Sequence, residues 1–299
     1  MIMVLNDKQV SGSIVAVGES CTLGFQISEP VCALLLGGGY AEFCVVDERT
    51  VIRAFSSVKL FTMAAIPEAF MTAYQLCYLV AKMEAGESLL LHAAASSIGQ
   101  AAIQMAVRKG IKVFATSRSA EKCSRCLALG ASGAVVVDGD CKFADKIKEL
   151  NEGSGIDVIL DPVGSAYIGE NLNLIAVDGR IVLYGLMTGG AVNDPAFLGK
   201  IMSKRVSVLS STLRGRPVEY KEKLISLLRD DPAGFPAIAS GDIRVDISAT
   251  YPLNEVKEAH KYMAENQNIG KILMHVSSSA SAAEALAKEL EGVATRNGL

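Results

Sequence analysis

Between residues 87 and 122 the chain reads ESLLLHAAASSIGQAAIQMAVRKGIKVFATSRSAEK, and here residue types and spacing could hold a phosphate. An apolar run, Leu89 to Ala94, ends in a turn of small residues. A helical pattern opens at Gly99, with apolar residues at Ile103, Met105 and Val107. A second apolar run, Ile111 to Thr116, stops at Ser117-Arg118-Ser119. Strand, tight turn, helix and strand in that order make the opening βαβ unit of a dinucleotide-binding domain. The chemistry is anion binding: the helix start presents unpaired N–H groups and a partial positive charge to a pyrophosphate. The G-x-G-x-x-G pattern is met only at its third glycine, by Ala94, Ser96 and Gly99. Alanine and serine still let a backbone approach a phosphate closely. A buried strand-turn-helix without a ligand reads much the same.

The end of the second strand narrows the ligand. An acid there would hold a ribose 2′-hydroxyl. This chain has no acid at that tip; it has Arg118, Ser119 and Lys122. Two cations and a hydroxyl suit a 2′-phosphate through charge-assisted hydrogen bonds. Ser119 also reads as a helix N-cap with Glu121 in the first turn, and both readings can hold together.

Other chemistries find little support. Cys123-x-x-Cys126 is a single pair inside a helical stretch, and the three histidines, His92, His260 and His275, are far apart, so no metal is expected. Seven cysteines, an odd number scattered along the chain, read as free thiols in a reducing compartment, and a cytoplasmic location is expected. A formal charge of −3 offers no basic footprint for nucleic acid. The longest apolar stretch, Val31 to Val46, is broken by three glycines and Glu42, so no membrane span is expected. The start MIMVLNDKQVSGS is too short and too polar to read as a signal peptide.

The elements that must position the phosphate site follow from period and punctuation. Over 97–212 strands and helices alternate: helices at 97–109, 119–129, 142–151, 165–176 and 197–204, strands at 112–117, 133–138, 156–162, 180–186 and 206–212. Nearly continuous apolar strands imply a parallel, doubly wound sheet, here with six strands in the order 3-2-1-4-5-6. Residues 1–60 look β-rich, with short runs at Ser13–Val17, Val31–Leu36 and Phe43–Val46 and a tight bend at Gly37-Gly38-Gly39. A helix is expected over Pro67–Met83 and another over 218–229. Ile243–Tyr251 reads as extended, Asn254–Asn266 as helix and Lys271–Val276 as a last strand. The Ala/Glu/Lys-rich tail reads as a solvated helix or a frayed end.

Taken together, several stretches resemble the zinc-free quinone oxidoreductase, zeta-crystallin-like branch of the medium-chain dehydrogenase/reductase superfamily. They are SGSIVAVGE, ALLLGGGYAEFCVV, AAIPEAFMTAYQL, LLLHAAASSIGQAAIQMA, DPVGSAY, DGRIVLYGLMTGG and YPLNEVKEAHKYMAENQNIGKIL, in that order over residues 11–276. The resemblance implies an α/β fold: a doubly wound parallel Rossmann sheet plus an incomplete GroES-like β-rich domain. It implies a partial GroES-like domain over 1–79, the Rossmann domain over 80–213, a return to the first domain over 214–276 and a tail over 277–299. It implies NADPH as cofactor, a quinone or related enone as acceptor, and a homodimer or tetramer paired along strand 206–212.

The resemblance also carries over to positions. Thr72 matches a hydroxyl set against the nicotinamide. Ser97, Ile98 and Gly99 match the pyrophosphate loop, and Ser119 and Lys122 the 2′-phosphate contacts, beside Arg118. Gly185 and Leu186 match the loop under the nicotinamide ribose, and Asn268 a C-terminal cofactor contact. Three features differ from the family pattern. Its aromatic after strand three is Val137, its Gly-Asp is Ser28-Glu29, and the N-terminal segment that carries an asparagine and aromatics over the nicotinamide has no counterpart, so weak turnover relative to cofactor binding is expected. Tyr40 and Thr72 are candidates for lining the site, each also readable as a packing or turn residue. No acid or base stands out, so the catalytic residue is left unassigned. An enoyl-thioester reductase and a non-catalytic NADPH-binding protein are the other expectations.

Overall fold

The computed structural model describes residues 2–4 and 8–276; the tail 277–299 lies outside the described residues. The chain divides into two units. One comprises Ala69–Arg216 and Leu227–Ala237, the other Met1–Glu68, Pro217–Ser226 and Ile238–Leu299. The division at Glu68 precedes the 79–80 boundary expected from sequence, and it falls inside a helix.

The larger unit is built on a parallel sheet. Its strands are β5 (Ser88–Leu91), β6 (Lys112–Ser117), β7 (Gly133–Val136), β8 (Ile156–Asp161), β9 (Ile175–Leu183) and β10 (Ser207–Ser210). Their spatial order is β10-β9-β8-β5-β6-β7, which is 3-2-1-4-5-6 counted from β5. Every pairing in this sheet is parallel. Central strands buried on both faces explain the unbroken apolar runs: Leu89, Leu90, Leu91, Val158, Ile159 and Leu160 have no exposed surface. On one face, Leu90, Phe114, Ile159 and Ile181 pack with Phe143, Ile147, Tyr167 and Leu172 from the covering segments.

The helices of this unit are α2 (Pro67–Tyr74, whose first two residues precede the division), α3 (Ser97–Arg108), α4 (Ala120–Ala128), α5 (Ala144–Leu150), α6 (Ile168–Leu174) and α7 (Phe197–Lys204), with the end of α8 (Val218–Asp230) and the start of α9 (Phe235–Ala239). Two expectations need correction. The helix expected over 67–83 is α-helical only to Tyr74 and continues as a π-helix, Gln75–Val80, closed by Ala81 N–H on Leu76 O at 3.0 Å. The strand expected over 180–186 is β9, which starts and stops earlier. Its pairing to β8 shifts register between Ile156 and Val158, where Asp178 takes φ 63 and Gly179 leaves no room for a side chain beside Ile175.

The smaller unit carries a six-stranded sheet ordered β11-β12-β1-β2-β3-β4: β1 (Ile2–Val4), β2 (Gln9–Ser13), β3 (Pro30–Leu34), β4 (Val51–Arg53), β11 (Ile247–Pro252) and β12 (Lys271–His275). Only β11 and β12 run parallel. The short helix α1 (Leu60–Met63) and α10 (Val256–Ala264) complete it. The strand expected over Ser13–Val17 is displaced to Gln9–Ser13. Phe43–Val46 forms no strand: Cys44 and Val46 pack against the Val10–Leu35–Met274 core while Val45 is fully exposed, a strand-like alternation outside any strand.

Candidate functional site

The C-terminal ends of the parallel strands carry the residues singled out above. After β5 the chain turns through His92–Ser96. Ala94 N–H bonds to Thr116 O at 3.1 Å and Ser96 N–H to Ala93 O at 2.9 Å, with Ala93 in the left-handed region at φ 49. Ser96 caps α3, its hydroxyl oxygen accepting from Gly99 N–H at 3.2 Å. Gly99 is indispensable to this turn: a Cβ there would stand 2.3 Å from Ala94 O and 2.7 Å from two further Ala94 backbone atoms. The first-turn N–H groups of Ser97 and Ile98 have no acceptor within the helix by its geometry. Both residues are half-buried. Helix start, small turn and glycine contact together fit a pyrophosphate.

After β6, Arg118 is exposed, while Ser119 and Lys122 are half-buried. Ser119 caps α4 by accepting from Lys122 N–H at 3.3 Å. Capping uses an oxygen lone pair and leaves the hydroxyl hydrogen to donate, so the cap and phosphate roles are compatible. Burial, and then the neighbouring Arg118 guanidinium, hold the Lys122 ammonium below its ordinary value.

After β8 and β9 two loops zip together. Met187 N–H bonds to Pro162 O at 3.1 Å, Thr188 N–H to Val163 O at 2.9 Å and Ser165 N–H to Gly189 O at 3.0 Å. A Cβ on Gly185 would stand 2.8 Å from Pro162 O, so this residue too is set by close backbone approach. Leu186 beside it is 56% exposed. Thr72 is buried in α2 of the same unit. Asn268 lies in the other unit, where its amide donates to Gly270 O at 3.2 Å.

Beneath these loops lies a buried polar cluster whose Asp161 and Asn171 did not stand out in the sequence. His92 Nδ1 is 2.7 Å from Thr116 Oγ1 and its Nε2 2.7 Å from Asn171 Oδ1. Asn171 Nδ2 donates to Asp161 Oδ2 at 2.8 Å. The rings of Phe143 and Tyr167 stand edge-on to the His92 ring, each with its centroid 4.8 Å away. Burial above all holds the imidazole below its ordinary value, with Asp161 and Asn171 opposing that shift. The only sequence signal was an acid closing the apolar run of β8.

The remaining candidates lie among packed side chains. Cys123 and Cys126 are both buried on α4, and burial pushes the Cys126 thiol up to about 12. Among the described residues no group of three or more His, Cys, Asp or Glu could hold a metal ion. Tyr40 packs on the core of the smaller unit and its hydroxyl lies 3.1 Å from His260 Nε2.

Residues 97–230 match the family model for zinc-binding dehydrogenases. Human quinone oxidoreductase is 28% identical over 266 residues, 89% of this chain and 78% of that protein. A highly reducing polyketide synthase, frbB of Dothideomycetidae sp. (strain 11243), is 27% identical over 287 residues, 93% of this chain but 11% of the synthase. The chain therefore spans about a tenth of the length of its polyketide synthase relatives. Among solved structures, mycobacterial Rv1454c complexed with NADPH superimposes with a TM-score of 0.80 at 25% identity, covering 91% of this chain and 82% of that one. The JamJ enoyl reductase does so at 0.77, also at 25% identity, covering 90% and 78%. In its doubly wound sheet, its glycine-pinned turn and its sequence the chain is similar to zinc-binding dehydrogenases and quinone oxidoreductases.

Proposed function

We propose that the chain is an NADPH-dependent reductase that delivers hydride to a quinone or a related enone. The observation that carries this reading is the anion site at the strand ends. It joins the N–H groups of Ser97 and Ile98, brought close by Gly99, to Arg118, Ser119 and Lys122, with no acid at the tip of β6. A 2′-phosphate is the natural occupant of the cationic part. The NADPH complex of Rv1454c and the kinship with human quinone oxidoreductase support the same cofactor and acceptor class.

When bound, the reduced nicotinamide supplies the hydride. The protein's task is to hold and orient. Ser97, Ile98 and Gly99 take the pyrophosphate; Arg118, Ser119 and Lys122 take the 2′-phosphate. Gly185 and Leu186 support the nicotinamide ribose, and Thr72 directs its hydroxyl to the nicotinamide. Orientation of this kind supplies much of the rate in hydride transfer. The seven cysteines are all free thiols, which supports a reducing, cytoplasmic setting.

The reading is tested by titrating the chain with NADPH and NADH by fluorescence, in parallel with turnover of a benzoquinone and of a crotonyl thioester. NADPH bound more tightly than NADH, with the quinone reduced, is the expected result. Equal affinities would refute the 2′-phosphate site. Faster thioester reduction would transfer the chain to enoyl-thioester reduction, the second reading, which its kinship with JamJ enoyl reductase favours. Binding without turnover of either acceptor would leave a non-catalytic NADPH-binding protein. We also propose a homodimer or tetramer through β10, an edge strand of the parallel sheet with Val208 exposed. A monomeric mass by light scattering at micromolar concentration would refute it.

A further inference from the structure

The ends of β5, β6 and β8 are joined by one chain of buried hydrogen bonds, and the chain has a direction. Asp161 accepts at both oxygens: Oδ1 from the N–H groups of Val163 at 2.6 Å and Gly164 at 3.0 Å, Oδ2 from Asn171 Nδ2 at 2.8 Å. With its amide nitrogen turned to the carboxylate, Asn171 can show His92 only its oxygen. An amide oxygen accepts, so the hydrogen must sit on His92 Nε2. Nδ1 is then bare and accepts from the Thr116 hydroxyl. The order Thr116 to His92 to Asn171 to Asp161 is thus fixed from the carboxylate end. His92, Asn171 and Asp161 have no exposed surface and Thr116 has 1%, so water offers no alternative partner.

Three of the four members stand at the root of a loop of the proposed nucleotide site, and Asn171, in α6, links them. His92 opens the turn 92–96. Thr116 immediately precedes Ser117–Ser119. Asp161 precedes 162–166, to which the 185–189 loop is zipped, and its Oδ1 ties down the first N–H groups there. β5 and β8 flank the point where strand order reverses, the place where open parallel sheets bind their ligands. Ladder hydrogen bonds fix strands along their length; this cluster fixes their ends.

We propose that the Thr116–His92–Asn171–Asp161 chain is the positioning device for the dinucleotide: through a single tautomer of His92 it sets the three loops that grip the cofactor. The inference rests on the nucleotide site proposed above. The four residues are positioning residues and touch no reacting atom.

Two measurements on the full chain test it. In the first, ring nitrogen NMR of the ¹⁵N-labelled protein, with His92 assigned by comparison with His92→Gln, should show the Nε2–H tautomer. In Asp161→Asn the new amide can turn its nitrogen toward Asn171, which then flips, and His92 should switch to Nδ1–H. An Nδ1–H ring in the unmodified protein, or an unchanged tautomer in Asp161→Asn, would overturn the network. The second measurement is the NADPH dissociation constant by fluorescence. His92→Leu should weaken binding by about tenfold, the effect of losing a buried hydrogen-bonded partner. His92→Gln, which offers a donor and an acceptor at the end of one side chain, should recover most of it. Thr116→Val, which removes only a hydroxyl, gives the same readout should His92→Leu fail to fold. Unchanged NADPH affinity in the folded variant would overturn this proposal alone. Failure of the unmodified chain to bind NADPH would overturn the nucleotide reading and this inference with it.

Discussion

The two ends of the parallel sheet are built from different chemistry. At the N-terminal end, carboxylates meet hydroxyl, amide and cationic partners, the ion pairs near water. Ser88 N–H and hydroxyl both donate to Asp157 Oδ2, at 2.8 and 2.7 Å, Arg180 pairs with Glu87 at 2.6 Å and Lys112 with Glu152 at 3.4 Å. At the C-terminal end the buried groups are neutral save Asp161, backbone approaches backbone at Gly99 and Gly185, and the cations Arg118 and Lys122 stand at the rim. Partly exposed ion pairs stabilise modestly and tolerate change. A buried directional network with two sterically locked glycines tolerates very little. One end closes the sheet, and the other holds a ligand-binding surface in shape. Disturbing each end in turn should therefore separate stability from cofactor affinity.

The largest effect is expected at Gly99. In Gly99→Ala the new Cβ meets Ala94 O at 2.3 Å, and neither backbone can yield without moving the turn. We expect a loss of about 2–3 kcal/mol by urea denaturation together with loss of NADPH binding. A variant with unmodified midpoint and affinity would break the comparison at its strongest point. Replacing Arg118 and Lys122 together by methionine should leave the urea midpoint in place and lower NADPH affinity on the order of 100-fold or more, from two charge-assisted contacts worth roughly 1.5–3 kcal/mol each. NADH affinity should barely move, and a parallel loss for both cofactors would contradict the assignment.

Acid should act through His92. Its native imidazole is held below the ordinary value, so between the ordinary value of about 6.5 and the native one only the unfolded chain takes up the proton. Stability from this group is complete above about pH 6.5 and declines as pH falls below it, by at most about 1.4 kcal/mol per pH unit. His92→Gln should flatten that part of the stability profile; an identical profile in the variant would refute it. The smallest effect belongs to the opposite end. Arg180→Met, which removes a pair with each side chain 24% exposed, should cost at most about 1 kcal/mol. It should leave the NADPH dissociation constant unchanged, and a weakened constant would show that the two ends are not independent.

Much of the larger unit was legible because its signals are local. α7 spans the residues expected, and α3, α4 and β6 agree to within a residue or so, since Ser96 and Ser119 cap where a cap was needed and the strands are uniformly apolar. The smaller unit was harder. β2 hides behind polar letters: Gln9 and Ser11 are fully buried because Gln9 accepts from Glu68 N–H at 2.9 Å and Ser11 donates to Leu60 O at 2.6 Å. Partners about fifty or more positions away leave no periodicity to read. For the same reason the His92 cluster was invisible, since Asn171 lies 79 residues from His92. Phe43–Val46 shows the converse failure, an alternation of buried and exposed residues that is not a strand. Of the site, the turn and the cationic rim were readable in one stretch, while what braces them was not.

The π-helix at Gln75–Val80 bears on how such a chain tolerates length change. A π turn carries one residue more than the α turn it replaces. Deleting a single residue between Gln75 and Val80 would let the segment relax into plain α-helix, which completes the same turn with one residue fewer. In an uninterrupted α-helix, at 3.6 residues per turn, the same deletion would rotate everything before it by about 100°; here the Thr72 side chain would keep the face it now occupies while β5 keeps its place. The segment is thus a length buffer, where losing one residue redirects neither a side chain nor a strand.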